Sequence, residues 1–284
     1  MKVKTHIRNI MATAAMMAVV APLWAADPLL VAHKVTGTDA LGDPDGKYWD
    51  AAKPVKLAME AQTVATPTQP TVTVIEMDVR AVQNGKFVGI LLEWKDASVN
   101  DILVTDGFGD QVAVEMPVTF SKDDLPNIMM GEPGKPVSIW QWRAPHQRDK
   151  DKGKPTTEQI YPNLHYDMYP DKVLPAETAK LYTGAHGLGN PVSDGTKSAV
   201  MEMVAEGFGT LTHVGNQQQV DGKGVRKGET WRVAMTYPLG TDSGIKLTPG
   251  GETALGFAVW DGGNGDRGSR KAWSSAWLPL KLSK

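Results

Sequence analysis

Short runs in which apolar and polar side chains alternate recur along the chain, and they constrain its fold more than any other feature. Alternation with a period of two puts apolar side chains on one face of a β-strand and polar side chains on the other. These runs are also rich in β-branched and aromatic residues, which favour strands. They lie at 71–79, 87–94, 111–116, 137–142, 230–237, 253–260 and 272–278. Because no clear helical repeat accompanies them, we predict an all-β fold of the immunoglobulin-like β-sandwich type.

The segment 145–194 interrupts this pattern. It is polar, contains many lysines, prolines and glycines, and includes several tyrosines. Loops of this length in a compact domain are usually functional or disordered. The tyrosines and prolines favour an ordered excursion over the surface, so we predict a long loop insertion that contacts a partner, with a solvated loop of no role as the alternative. Weak helical signals occur at 176–181 and 197–205.

The first 25 residues have the features of a secretory signal. Basic residues at 2, 4 and 8 precede an apolar run at 10–20, and small residues follow it. The run is shorter than the ~20 residues that span a bilayer. We therefore predict a signal peptide at 1–25 and one domain at 26–284 without a membrane span. A retained membrane anchor is the alternative.

The chain contains no cysteine. Disulfides, iron–sulfur clusters held by thiolates and haem attachment through Cys-x-x-Cys-His are therefore excluded. Any haem must be bound non-covalently. The formal net charge is only −2 and no long basic stripe occurs, so nucleic acid is not an expected partner.

The patterns typical of enzymes are weak. The histidines after residue 25 are not spaced i, i+2 or i, i+4, so no zinc site is predicted. Gly-x-Ser-x-Gly is absent. The glycines at 262–265 follow a strand but lack the Gly-Lys-Ser/Thr of a phosphate loop, and a hairpin turn explains them better. We predict that the chain is not itself an enzyme.

A carbohydrate-binding function deserves weight. Asp45, Gly46 and Trp49 resemble the opening of sugar-binding β-sandwich modules, and the nine tryptophans could stack on sugar rings. Tryptophans in strands more often belong to the core. A secreted carbohydrate-binding module is therefore the alternative function.

A series of short motifs, in order along the chain, carries a further resemblance. They lie at 45–49, 92–96, 112–117, 137–142, 205–212, 231–233 and 257–271. Together they resemble the haem-binding γ subunits of periplasmic molybdenum oxidoreductases, such as ethylbenzene and dimethyl sulfide dehydrogenases, selenate and chlorate reductases and nitrite oxidoreductase. The resemblance covers most of the chain after the signal peptide.

This resemblance implies a b-type haem whose iron is held by a methionine and a lysine. By position the methionine corresponds to Met116, within Val-Glu-Met-Pro, and the lysine to Lys271, at the end of the glycine-rich hairpin. Lys246 and Lys227 are the other candidate lysines. Two axial ligands leave no open position on the iron, which indicates electron transfer without bond chemistry.

The haem propionates would need cationic partners, and charge alone points to Arg270, Arg143 or Arg232. The resemblance further implies a periplasmic location and a complex with iron–sulfur and molybdopterin subunits. A soluble c-type cytochrome is the expected electron acceptor or donor.

Overall fold

The computed structural model describes residues 28–163, 190–193, 195–241 and 244–284. The predicted signal peptide at 1–25, the predicted helix at 176–181 and much of the predicted insertion lie outside the described residues. The strands are β1 Leu30–Lys34, β2 Val55–Ala58, β3 Glu60–Ala61, β4 Glu76–Gln83, β5 Phe87–Lys95, β6 Gln111–Pro117, β7 Val137–Arg143, β8 Val200–Ala205, β9 Thr212–His213, β10 Asp221–Lys227, β11 Thr230–Pro238, β12 Glu252–Trp260, β13 Ala272–Trp273 and β14 Leu278–Leu282. The predicted all-β sandwich is thereby confirmed.

The strands form two sheets that β12 joins. The first sheet has the order β10-β11-β5-β4-β1-β14, and the second has the order β12-β6-β7-β8-β9. Residues 252–255 of β12 pair with β14, while residues 256–260 pair with β6. Most pairs are antiparallel, but β1 runs parallel to both of its neighbours, β4 and β14.

The main core lies between the sheets. Alternation directs Val112, Val114 and Met116 of β6 into it, and each of them is 0% exposed. The rings of Trp142 and Trp231 pack edge to face there, with their centroids 5.0 Å apart. Burying a large apolar side chain contributes ~1.5–3 kcal/mol, so this core provides most of the stability.

The second sheet is also buried on its outer face. A separate apolar cluster lies there and includes Ala113, Ile139, Met203 and Trp260. Met130, from the loop between β6 and β7, packs against this cluster. Residues of the hairpin between β12 and β13 also border this face. The outer face of the second sheet is therefore an apolar surface beneath loops, which is where a cofactor can lie.

Two short helices follow β7. Helix α1 spans Ala144–Lys152 and has a proline in its first turn. Helix α2 spans Thr157–Ile160, and a capping box formed by Thr156 and Gln159 stabilises its N-terminus. In the described part of the chain, neither these helices nor the single 3-10 turns have the length and apolar composition of a membrane span.

The weak helical prediction at 197–205 is wrong, because 200–205 form β8. This segment pairs with β7 over its whole length. Its alternation places Val200 in the main core and Met203 on the outer face. Tertiary packing on both faces outweighs the weak helical propensity of this segment.

Candidate functional site

A cavity of about 310 Å³ lies on the outer face of the second sheet. Strands β6, β7, β8 and β12 form its floor, and the 128–130 loop and the hairpin between β12 and β13 form its walls. Apolar residues line most of it: Ala113, Ile128, Met130, Ile139, Met203, Leu211, Phe257, Ala258, Trp260 and Trp273. The charged lining residues are Glu115, Arg143 and Lys271. Cofactor pockets of this character usually measure ~300–1,000 Å³.

A smaller cavity of about 120 Å³ lies beside the first. Both are lined by Glu115, Met130 and Lys271, together with Ile128, Gly268 and Trp273. The lysine, the glutamate and the methionine therefore stand where the two spaces meet.

Lys271 is held at this place by backbone pairing on both sides. Its carbonyl oxygen accepts a hydrogen bond from the Gln62 N–H at 3.2 Å, and the next residue, Ala272, pairs with Val259 of β12. Its Nζ lies 5.1 Å from the centroid of the Trp260 ring. Within the described residues this Nζ makes no ion pair within 4.0 Å.

Burial lowers the pKa of Lys271, while the charge of Glu115 opposes that shift. The apolar cavity thus favours the neutral amine. The neutral amine carries a lone pair and is the form of a lysine that can ligate a metal.

Glu115 comes from β6 and points away from the main core, as its alternation with Val114 and Met116 requires. Its Oε1 is buried and has no hydrogen-bond partner. Burial raises the pKa of Glu115 to about 8, although Lys271 and the Met130 backbone N–H both act to lower it.

Met130 occupies an unusual backbone conformation. Its φ is 70°, in the left-handed region that few residues other than glycine adopt, and Gly131 follows with a φ of 73°. The Gly131 N–H donates to the Asn127 carbonyl at 2.8 Å, and the Met130 carbonyl accepts from the Gly207 N–H at 2.7 Å. These bonds hold a thioether side chain against both cavities.

Arg143, the last residue of β7, brings a guanidinium into the larger cavity. Its Nη2 donates to Gln141 Oε1 at 3.2 Å, and its Nε is buried without a partner. Burial lowers the pKa of Arg143 to about 10. It stays protonated at neutral pH and can pair with a carboxylate in the cavity.

The structure does not bring Met116 beside Lys271. Met116 is 0% exposed and belongs to the main core, on the opposite face of β6 from Glu115. The methionines that line the cavity with Lys271 are Met130 and Met203. The sequence interpretation missed both, and the signal that could have found Met130 is its place directly before Gly131 in a turn.

The remaining candidates lie outside both cavities. Arg232 is on the outer face of the first sheet, where it pairs with Glu93, and Lys227 pairs with Asp45 at 2.6 Å. Lys246 is exposed. Arg270 is partly exposed beside Lys271, with its Nε buried and unpartnered. Of the predicted arginines, only Arg143 lines the cavity.

The residues present fit a haem. Apolar walls suit the macrocycle, Arg143 suits a propionate, and an amine and a thioether are ligands that iron accepts. Lys271, Met130 and Met203 supply those donors.

Comparison with known proteins gives a consistent result. The family model described as ethylbenzene dehydrogenase matches residues 46–272. The chlorate reductase subunit gamma of Ideonella dechloratans is 25% identical over 87% of this chain and 82% of its own length. ORF7 of Haloferax mediterranei, whose name describes a respiratory nitrate reductase heme subunit, is 21% identical over 85% of this chain and 69% of its own length.

A solved structure gives a more distant likeness. It is a family 9 carbohydrate binding module from Caldicellulosiruptor kristjanssonii in complex with glucose. The identity is 12%, the TM-score is 0.43, and the match covers 89% of this chain and 95% of that one. A score this low carries no argument about ligand. The family model, in contrast, covers well over half of the sequence, and the chain belongs to the ethylbenzene dehydrogenase family.

Proposed function

We propose that this protein is a haem-carrying electron-transfer subunit of a molybdenum oxidoreductase complex. The observation that carries the proposal is the position of Lys271. Its amine lies in an apolar cavity, and burial there lowers the pKa of the amine. The names of the chlorate reductase subunit gamma and the nitrate reductase heme subunit support the same function.

We further propose that Lys271 and Met130 would hold the haem iron. Met130 lines both cavities together with Lys271, whereas Met203 lines only the larger one and Met116 lines neither. Met116 stays a prediction of the resemblance, which the variants described below test. A methionine and a lysine would together supply two ligands to the haem iron, a ligand set that would suit electron transfer and not substrate binding.

When bound, the haem supplies a reversible one-electron couple at its iron. The chain's own residues bind and tune it. The apolar walls exclude water and, with the thioether, favour the reduced state. Burial keeps the Lys271 amine ready to lose its proton, and Arg143 holds a propionate, with Arg270 as the other candidate.

The partners in this proposal follow from the family. The protein would be exported through its signal peptide at 1–25 to the periplasm and pass electrons between an iron–sulfur subunit and a soluble c-type cytochrome. The substrate reaction would belong to the molybdopterin subunit. The segment 145–194 is the proposed contact with a partner.

The first prediction tests the haem and its ligands. Protein produced with a haem supply should give a six-coordinate, low-spin b-type spectrum, and acidic acetone should extract the haem because no cysteine tethers it. Met130→Leu and Lys271→Met should each change the ligand bands in magnetic circular dichroism. Met116→Leu, Met203→Leu, Lys246→Met and Lys227→Met are matched controls and should keep the wild-type bands.

Three outcomes would contradict the proposal at different levels. A folded, colourless protein that takes up no haem would contradict the function and favour the carbohydrate-binding alternative. If the ligand bands change with Met116→Leu or Met203→Leu but not with Met130→Leu, the methionine ligand is that residue and not Met130. If the ligand bands change only with Lys246→Met or Lys227→Met, the lysine ligand is that residue and not Lys271. Thermal unfolding of each variant separates ligand loss from misfolding, since leucine for methionine usually costs under ~1.5 kcal/mol.

A further inference from the structure

Three buried carboxylates, none of which lines either cavity, meet at one end of the sandwich. Asp96 follows β5, Asp110 precedes β6 and Asp261 follows β12. Each offers an oxygen, and these oxygens all lie within 4.8 Å of one another. The three residues are only 3%, 0% and 6% exposed, respectively.

The hydrogen bonds at this cluster leave one oxygen unsatisfied. Both oxygens of Asp110 accept bonds, one from the Gly262 N–H at 3.0 Å and the other from Trp231 Nε1–H at 3.1 Å. Asp96 accepts through Oδ1 from the Ser98 N–H at 2.9 Å. Its Oδ2 is buried and has no partner.

Opposite charge is scarce around these groups. Among the described residues, none of the three forms an ion pair within 4.0 Å. The nearby cation Arg226 donates through Nη2 to the backbone carbonyl of Asp96 at 2.6 Å, not to a carboxylate. Buried carboxylates without a counter-charge are costly, so such a group needs a cation or protons.

Neutral oxygens complete the surroundings. A Cβ placed on Gly263 would meet Ser98 Oγ at 2.4 Å, Asp261 Oδ1 at 3.1 Å and Asn100 Oδ1 at 3.2 Å. The side-chain oxygens of Ser98 and Asn100 therefore lie close to the Asp261 carboxylate, and Ser98 Oγ–H donates to Asn100 Oδ1 at 2.6 Å. Carboxylate, amide and hydroxyl oxygens in such number are the ligand set of a hard divalent cation.

We propose that Asp96, Asp110 and Asp261 bind one Ca²⁺ ion, with Ser98 and Asn100 as further oxygen donors. Calcium accepts 6–8 oxygens at ~2.3–2.6 Å, so it can bridge oxygens up to ~5 Å apart, a wider span than Mg²⁺ bridges with bonds of ~2.0–2.1 Å. The ion ties the 96–110 loop to the turn at 261–264. That turn begins the hairpin that ends at Lys271, so calcium fixes the base of the segment that carries the lysine.

The experiment uses the chain after the predicted signal peptide, first treated with a chelator and then titrated with CaCl₂, MgCl₂ or TbCl₃. We expect a single Ca²⁺ per chain in equilibrium dialysis and a Tm that rises with Ca²⁺ concentration, since a ligand that binds only the folded state stabilises it. Terbium should show luminescence sensitised by tryptophan, because Trp231 donates directly to Asp110.

Two variants make the test specific. Asp96→Asn keeps the shape but removes a ligand charge, and it should weaken Ca²⁺ binding at least about tenfold. Glu202→Gln is the matched control, because Glu202 is also buried, at 4% exposed, but lies outside the cluster. It should keep both the terbium signal and the calcium-dependent Tm.

Absence of bound calcium together with an unchanged Tm would overturn the proposal and indicate that the carboxylates share protons instead. A Tm rise with Mg²⁺ and not with Ca²⁺ would overturn the choice of metal. None of these readouts involves haem absorbance, so the result is independent of the proposed function.

Discussion

Glu115 and Lys271 share an apolar cavity without forming an ion pair within 4.0 Å. Burial disfavours the charged form of each, so the pKa of the acid rises and the pKa of the base falls. Each charge partly offsets the shift of the other. Perturbed groups of this kind concentrate at functional sites, which agrees with the role proposed for the cavity.

The pH dependence of haem-free protein tests this residue pair. The pKa of Glu115 is raised from 4.5 in the unfolded chain to about 8 in the folded one. Its contribution to stability is therefore fully present below pH 4.5 and is lost as the pH rises through about 8. The free energy of unfolding, measured in urea between pH 4.5 and about 8, should fall with rising pH in the wild type. In Glu115→Gln this fall should disappear.

Lys271→Met provides the complementary control. The positive charge of Lys271 lowers the pKa of Glu115, so its removal should move the decline to higher pH. Identical slopes for wild type and Glu115→Gln would show that the carboxyl titrates normally.

At this scale the sequence could predict some site residues but not others. Period-two alternation already separates Glu115 from Met116, so Met116 could have been assigned to the core. Met130 lies in a turn, where no periodicity operates, and its place depends on hydrogen bonds to residues far away, such as Gly207. Lys271 could be found because a strand and a glycine-rich hairpin mark its position.

Among the elements, α1 depends on one buried amide. Gln147 Oε1 accepts from Trp142 Nε1–H of β7 at 3.2 Å and from the Gly224 N–H of β10 at 2.9 Å. Its Nε2 donates to the exposed Asp151 within the helix. The helix is therefore tied to both sheets through a single oxygen.

Removal of that amide is the second test of stability. Gln147→Ala leaves two buried donors without an acceptor, which costs ~1–3 kcal/mol for each group in the free energy of unfolding. Asp151→Ala, the matched control, breaks only the exposed side of the contact and should cost under ~0.5 kcal/mol. Chemical denaturation of both variants measures the difference. Equal effects would mean that the oxygen contributes nothing beyond helix propensity.

The sequence indicated most of the long strands, but it missed β10, of seven residues, and β8, of six. Each of the alternating runs contains or overlaps an observed strand, although the run at 71–79 begins five residues before β4 at Glu76. Short strands such as β1 and β9 were not predicted, because a few residues carry too little pattern. Their existence depends on neighbours distant in sequence, as in the pairing of β1 with β14.

In the whole molecule, β14 is the last strand of the first sheet: it pairs with β1 on one side and, on the other, with β12, which continues into the second sheet. Its leucines at 278, 280 and 282 are 3%, 1% and 0% exposed. Each loss of such a side chain costs ~2–5 kcal/mol, so together they approach the ~5–15 kcal/mol that stabilises a typical domain.

Truncation tests the importance of this strand. Protein lacking residues 278–284 should show no cooperative thermal transition in calorimetry. Removal of Lys284 alone, which is exposed, should leave the Tm nearly unchanged. A cooperative transition in the longer truncation would show that the sheets hold together without β14.

The pairing of β1 with β14 also bears on the order of events during synthesis. In a chain emerging from the ribosome, residues 30–34 appear early, whereas their partner at 278–282 leaves about 250 residues later. Until then β1 lacks one neighbour, and the edges that β12 and β14 will occupy stay open. Such a nascent chain cannot close the sandwich before its last residues have left the ribosome.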